Sequence, residues 1–237
     1  MKTRQMLKQR RQEQAQRRNR QLLLGGIVIL AIVVVVVLIQ QTPRPSNTAA
    51  IVLVPKQEWP QANGKSMGPA SVKVVVTEFA DFQCPGCKSF HDAVLQKLVQ
   101  QYVATGKVRF EYHHFTVVDG IVGGVESRHA AEASECANEQ GAFWDYFNTL
   151  FTNQQAEGSG AFSDDRLKTM AANLGLDTGK FNSCFDTHRY AQQVSTDEGL
   201  AVSFHLNSTP SILVNNNLIA KPLDYASIQA AIEAGLK

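Results

Sequence analysis

The sequence predicts an α/β fold interrupted by a helical insertion and preceded by one membrane-spanning helix. Three observations carry this reading. An apolar stretch at 22–39 holds no polar side chain; a β-branched run leads through Cys-Pro-Gly-Cys into a helical repeat and a second strand; and between 119 and 203 the pattern turns purely helical before strands return.

The chain has 237 residues, with 23 Lys and Arg against 21 Asp and Glu, for a net charge of +2. Eight basic residues and one acid fall within positions 1–20, a local +7; the remaining 15 basic and 20 acidic residues leave −5. This split excludes a nucleic-acid-binding protein with basic charge spread over its fold. It predicts a basic cytoplasmic tail at 1–21 on a mildly acidic body. The stretch at 22–39 reaches about 27 Å as a helix, close to the hydrocarbon thickness of a bilayer. A cleaved signal has a shorter apolar region, typically about 7–15 residues, and a small-residue cleavage site close behind it. Here Ala49 and Ala50 lie ten positions beyond the stretch, so an uncleaved anchor in the lipid bilayer is expected, with the tail inside and the rest extracytoplasmic. Residues 40–70 carry five Pro and two Gly and read as an extracytoplasmic linker, with an apolar edge strand expected at 51–54.

The body follows in order. Residues 72–79 form a strand, and Phe90, Val94, Leu95, Leu98, Tyr102 and Val103 recur at helical spacing until Gly106. Residues 107–115 form a second strand, which completes a βαβ unit with a parallel pair. Helices are expected at 125–151, 163–175, 177–186 and 188–203, with Ser163, Asp164 and Asp165 suited to a helix start. A strand at 211–214, a left-handed Asn215-Asn216-Asn217 turn, a partner strand at 218–220 and a helix at 223–236 close the chain. The two α/β parts, 71–118 and 204–237, thus flank an insertion at 119–203.

Chemistry concentrates at Cys84-Pro85-Gly86-Cys87, where the strand turns into the helix. A helix N-terminus stabilises a thiolate on the first cysteine, so Cys84 reads as nucleophile and Cys87 as resolving thiol. Pro85 presets helical φ, and Gly86 removes bulk beside the sulfur. A zinc site would need a second ligand pair at motif spacing, and neither Cys136 nor Cys184 has one, so no metal is expected. His91 reads as a packing or surface residue, and His113 and His114, at the end of a strand, read as structural residues. Phe143, Trp144, Tyr146, Phe147 and Phe151 read as the core of the insertion.

The stretches VVVTEFADFQCPGCKSFH, ECANEQGAFWDYFNTLF, FNSCF and STPSILVNN, in this order over about 68–237, resemble the membrane-anchored bacterial DsbA-like thiol:disulfide oxidoreductases of the thioredoxin superfamily. The resemblance implies a thioredoxin fold interrupted by a helical domain, and a redox-active disulfide in place of any cofactor. It implies that Glu78 is the buried acid that moves protons to and from Cys87, that Pro210 is the cis-proline facing the active-site disulfide, and that Thr209 binds extended substrate. On alternation alone Glu78 reads equally as an outward-facing strand residue. The departure is Pro85-Gly86, where strongly oxidising members have a His between the cysteines. Cys136 and Cys184 are either two packed thiols or a bridge closing a loop of about 49 residues, worth roughly 4 kcal/mol in the chain-entropy model; some anchored members with a second disulfide in the insert favour the bridge.

The resulting expectation is an extracytoplasmic oxidase that introduces disulfides into reduced secreted or envelope proteins. Its implied reoxidant is a membrane quinone-linked protein of the DsbB or vitamin K epoxide reductase type. A reductase or isomerase and a non-catalytic peptide-binding chaperone are the alternatives. No dimerisation segment precedes the body, which favours a monomer.

Overall fold

In the computed structural model, which describes residues 49–237 and, from the preceding segment, Gly25, five strands, β1 (Ser66–Met67), β2 (Val74–Ala80), β3 (Val108–His114), β4 (Ser211–Val214) and β5 (Asn217–Leu218), order as β1-β3-β2-β4-β5. The basic tail and, apart from Gly25, the apolar stretch at 22–39 lie outside the described residues, among which no helix is long and apolar enough to cross a membrane. The central strand β2, Val74–Ala80, runs parallel to β3, Val108–His114, with Val74 opposite Val108 and Ala80 opposite His114. β4, Ser211–Val214, pairs antiparallel on the other side of β2, and β5, Asn217–Leu218, pairs with β4. The β4–β5 link is shorter than expected, because Asn215 and Asn216 both take positive φ, 48° and 65°, and close a two-residue turn.

The α1 helix connects β2 and β3, beginning as Pro85–Phe90 and continuing without a break through His91–Leu95, Gln96–Leu98 and Val99–Val103. Its apolar positions at helical spacing are all buried. They pack with Val74, Val76 and Ala80 of β2 and with Ile228 and Ile232 of the final helix α8, Tyr225–Leu236. Alternation puts Glu78 on this same core face.

Between β3 and β4 lie six helices: α2 (Val118–Val122), α3 (Glu126–Asn138), α4 (Phe143–Thr152), α5 (Asp164–Asn173), α6 (Thr178–Asp186) and α7 (Ala191–Ser203). The helix expected at 125–151 is two, because the chain between α3 and α4 turns through Gly141 at φ 69°. Ser163 occupies the N-cap of α5, but its side chain makes no capping bond. The α4 aromatics do more than fill the insertion. Phe147 meets Phe82 and Tyr112 at ring-centroid distances of 5.8 and 5.1 Å, and Trp144 meets Phe110 at 6.0 Å, so one continuous core joins insertion and sheet.

Two features differ from expectation in the stretch before residue 71. No strand forms at 51–54, because the Val52 N–H and C=O are taken by the Asn153 side chain at 2.7 and 3.0 Å instead of by a sheet edge. The sheet instead gains β1, Ser66–Met67, antiparallel to β3. Met67 is fully buried in the core, which holds this segment down within the expected linker.

Candidate active site

The loop Asp81-Phe82-Gln83 carries the chain from β2 to the cysteines, and Cys84 caps α1 in extended conformation (φ −71°, ψ 121°), with Pro85 in the first turn. Cys84 is half-buried, Cys87 is fully buried, and both are free thiols. Helix geometry turns the first sulfur outward and the second into the core.

Hydrogen bonding from the Cys87 thiol, from the Thr209 side chain and from the N–H groups of Cys87 and Gly86 lowers the Cys84 pKa to about 6, against partial burial. Free N–H groups at a helix start favour an anion in this way. Burial pushes Cys87 well above the usual thiol range, and its bond to Cys84 and the charges of Cys84 and Glu78 add to the rise. The pair is therefore asymmetric: an accessible thiolate above about pH 6 beside a sealed, protonated thiol.

The Thr209–Pro210 peptide bond is cis, and Thr209 O accepts from the Cys84 thiol at 3.3 Å. A Cβ on Gly86 would stand 3.0 Å from Pro210 Cδ, 3.6 Å from Cys84 Sγ and 3.7 Å from Thr209 O. The glycine thus lets the proline segment close over the cysteine turn. Glu78 is 1 % exposed, and neither carboxylate oxygen has a hydrogen-bond partner. Burial, reinforced by Cys84, raises it well above the ordinary carboxylate range, so this acid on the core face holds its proton to higher pH than a free carboxyl and is electrostatically coupled to Cys87.

Three further residues join this site without having been singled out in the sequence. Asp81 is buried; its N–H donates to Cys87 Sγ at 3.5 Å, and its carboxylate accepts from Gln83 N (2.8 Å), Ser127 Oγ (2.7 Å) and Val118 N (2.9 Å). Burial outweighs these donors and raises Asp81 to about 6. Gln83, also buried, donates to Asp119 Oδ1 at 3.0 Å and Ser127 Oγ at 2.8 Å and accepts from Gly158 N at 2.8 Å. Gln154 Nε2, just past α4, donates to Phe82 O (2.6 Å) and Cys84 O (3.0 Å). The available signal was two polar side chains beside Phe79, Ala80 and Phe82 immediately before the CxxC.

Cys136 of α3 and Cys184 of α6 form a disulfide, with a Cα–Cα distance of 5.8 Å. His91 is buried against Phe151 and Phe147 at ring distances of 5.1 and 5.6 Å. Among the described residues one group, His114, Glu135 and Asp197, could hold a metal ion by proximity. Its carboxylates bind the Lys65 ammonium instead, Glu135 at 2.7 Å and Asp197 as well. His113 also faces Asp197, at 3.0 Å.

A family described as Thioredoxin matches residues 61–234. The chain is 32% identical over 178 residues to disulfide bond formation protein D of Bacillus subtilis, covering 72% of this chain and 76% of that protein. Among solved structures, oxidised BdbD from Bacillus subtilis superposes with a TM-score of 0.66 at 28% identity, covering 73% of this chain and 92% of that one. DsbA from Chlamydia trachomatis shares the fold at a TM-score of 0.63 and 19% identity, covering 76% and 96% of the two chains. With the cysteine turn, the facing cis-proline and the helical insertion, these matches lead to one assignment: the chain belongs to the thioredoxin superfamily as a DsbA-like thiol:disulfide oxidoreductase.

Proposed function

We propose that the chain is an anchored oxidase that introduces disulfides into reduced extracytoplasmic proteins through Cys84 and Cys87. The observation that carries this is the asymmetry of the pair. Stabilising the Cys84 thiolate stabilises the reduced form, which makes the corresponding disulfide a better oxidant.

In the oxidised pair, a substrate thiolate attacks Cys84 Sγ. The Cys84–Cys87 bond breaks as the Cys84–substrate bond forms, and the negative charge passes to Cys87, which takes a proton from Glu78. A second substrate thiolate then attacks the substrate sulfur and releases Cys84 as thiolate. The substrate gains one disulfide and the pair retains two electrons, so a membrane quinone-linked reoxidant of the DsbB or vitamin K epoxide reductase type must accept them. Thr209 and Pro210 position the extended substrate over Cys84, and the Cys136–Cys184 bridge is structural. The +7 tail and the apolar stretch at 22–39 support a single-pass anchor, an inside N-terminus and a catalytic body outside the cytoplasm.

In whole cells, Cys87→Ala should accumulate mixed disulfides at Cys84 that collapse under dithiothreitol; their absence under oxidising conditions would overturn the proposal. A membrane-impermeant maleimide should label Cys84 on intact cells if the topology is right. Pro85-Gly86 between the cysteines favours the reductase or isomerase reading, which predicts a potential near about −270 mV against about −120 mV for a strong oxidase.

A further inference from the structure

The leaving sulfur of the exchange step is Cys87 Sγ, which sits in the core with its charge unscreened by water. An anion released there needs a donor already in place, because a buried site cannot recruit solvent. The Asp81 N–H supplies one, 3.5 Å from Cys87 Sγ and itself buried. An amide in a loop points where its neighbours hold it. Here the anchor is the Asp81 carboxylate, which takes Val118 N from α2 and Ser127 Oγ from α3 besides Gln83 N in its own loop. Gln83 is pinned to the same hydroxyl and to Gly158 N beyond α4. Besides Gln83 N, the ties come from Ser127 and Gly158 of the helical insertion and from Val118, the residue that leads into it.

We propose that Asp81 is a positioning residue for disulfide exchange: the insertion grips its carboxylate and thereby aims its N–H at Cys87 Sγ, where it stabilises the thiolate as the Cys84–Cys87 bond breaks. This rests on the disulfide-exchange reading of the pair and assigns the insertion a part in the chemistry besides covering the site. The bond changes are those of ordinary exchange: Cys84–Cys87 breaks, Cys84–substrate forms, and the charge lands on a sulfur that already has a hydrogen-bond donor.

The test is the oxidised protein reduced by glutathione and by a cysteine-containing peptide, quenched with acid and alkylated, and read by mass for rate and equilibrium. Asp81→Asn keeps the shape but removes the charge and one acceptor, which turns the loop. Reduction should slow roughly tenfold and the equilibrium should move toward the disulfide by a similar factor, the worth of about one hydrogen bond. Ser127→Ala, which leaves two of the three donors to the Asp81 carboxylate, should give a smaller change of the same sign and answers the question if Asp81→Asn does not fold. In both, the Cys84 thiolate absorbance at 240 nm should titrate as in the parent, since its own donors are intact. A merely structural role lowers the melting temperature and leaves rate and equilibrium per folded molecule unchanged; that result overturns the proposal. If the parent itself fails to exchange, the oxidoreductase reading fails instead.

Discussion

Glu78 and Tyr112 lie directly opposite each other across β2 and β3, 1 % exposed apiece. The Tyr112 hydroxyl is committed to Ala80 O at 3.3 Å, which leaves the carboxyl beside it without a partner. An acid raised in the folded state stabilises the fold fully below its unfolded pKa, and that contribution is lost as pH rises through the folded value. Burial raises Glu78 well above 4.5. Glu78→Leu should therefore gain stability on the alkaline side, by about 1 kcal/mol or more at pH 8, and urea denaturation from pH 5 to pH 9 should show a flatter profile than the parent. The proposed proton transfer from Glu78 to Cys87 predicts that exchange falls at least about tenfold at pH 7.

The contact of Gly86 with Pro210 offers a test of the proposed seating of substrate on the Thr209–Pro210 segment. Alanine is the better helix former by up to about 1 kcal/mol, but its Cβ would press on Pro210 Cδ at 3.0 Å. These effects oppose each other, so Gly86→Ala should melt within a few degrees of the parent. Exchange with an extended peptide thiol should nevertheless drop several-fold while exchange with a small thiol changes little, because the shift falls on the Thr209–Pro210 wall. Parallel stopped-flow rates with the two thiols check this.

What the sequence revealed and what it hid divide by range. The cysteine pair was legible because its spacing and its place between a β-branched run and a helical repeat are local facts. The face that Glu78 occupies was not, since every residue around it suits a strand, and only α1 packing over β2 decides which side is the core. β1 was missed because two residues show no period; Met67 joins the sheet through burial against distant segments. The Asp81–Gln83 anchor was equally hidden. Its partners lie 36 to 75 positions away, and single-chain periodicity carries no trace of such pairings. Asn153 capturing Val52 is a similar case, where a side chain satisfied backbone groups expected to seek a sheet edge.

Lys65 ties β1 to the insertion through carboxylates that are themselves buried. Its ammonium meets Glu135 at 2.7 Å and also Asp197, both about 3 % exposed at the side chain. His114 and Lys65 bring Glu135 down to about 2, and His113, His114 and Lys65 lower Asp197, each against the opposing effect of burial. Depressed carboxylates stabilise above their unfolded pKa and lose that contribution as pH falls through the folded value. The parent should thus resist acid until the pH falls from about 4 toward 2. Lys65→Met leaves two buried carboxylates without their ammonium, which should cost about 3–5 kcal/mol at pH 7 and bring acid unfolding to a higher pH, visible by circular dichroism.

The Cys136–Cys184 bridge closes a sequence separation of 48 residues between α3 and α6. In the chain-entropy model such a loop is worth roughly 4 kcal/mol, and both sulfurs are buried in the core cluster shared by insertion and sheet. A Cys136→Ala, Cys184→Ala double variant should lose about that amount in urea titrations. The folded fraction should still exchange thiols at the parental rate, because the donors around Cys84 and Cys87 remain. Dithiothreitol should reduce the Cys84–Cys87 disulfide well before it reaches the buried bridge, and alkylation with mass readout at increasing reductant resolves the two steps. A double variant as stable as the parent, or one that is folded but no longer exchanges, would show that the bridge does something other than hold the insertion together.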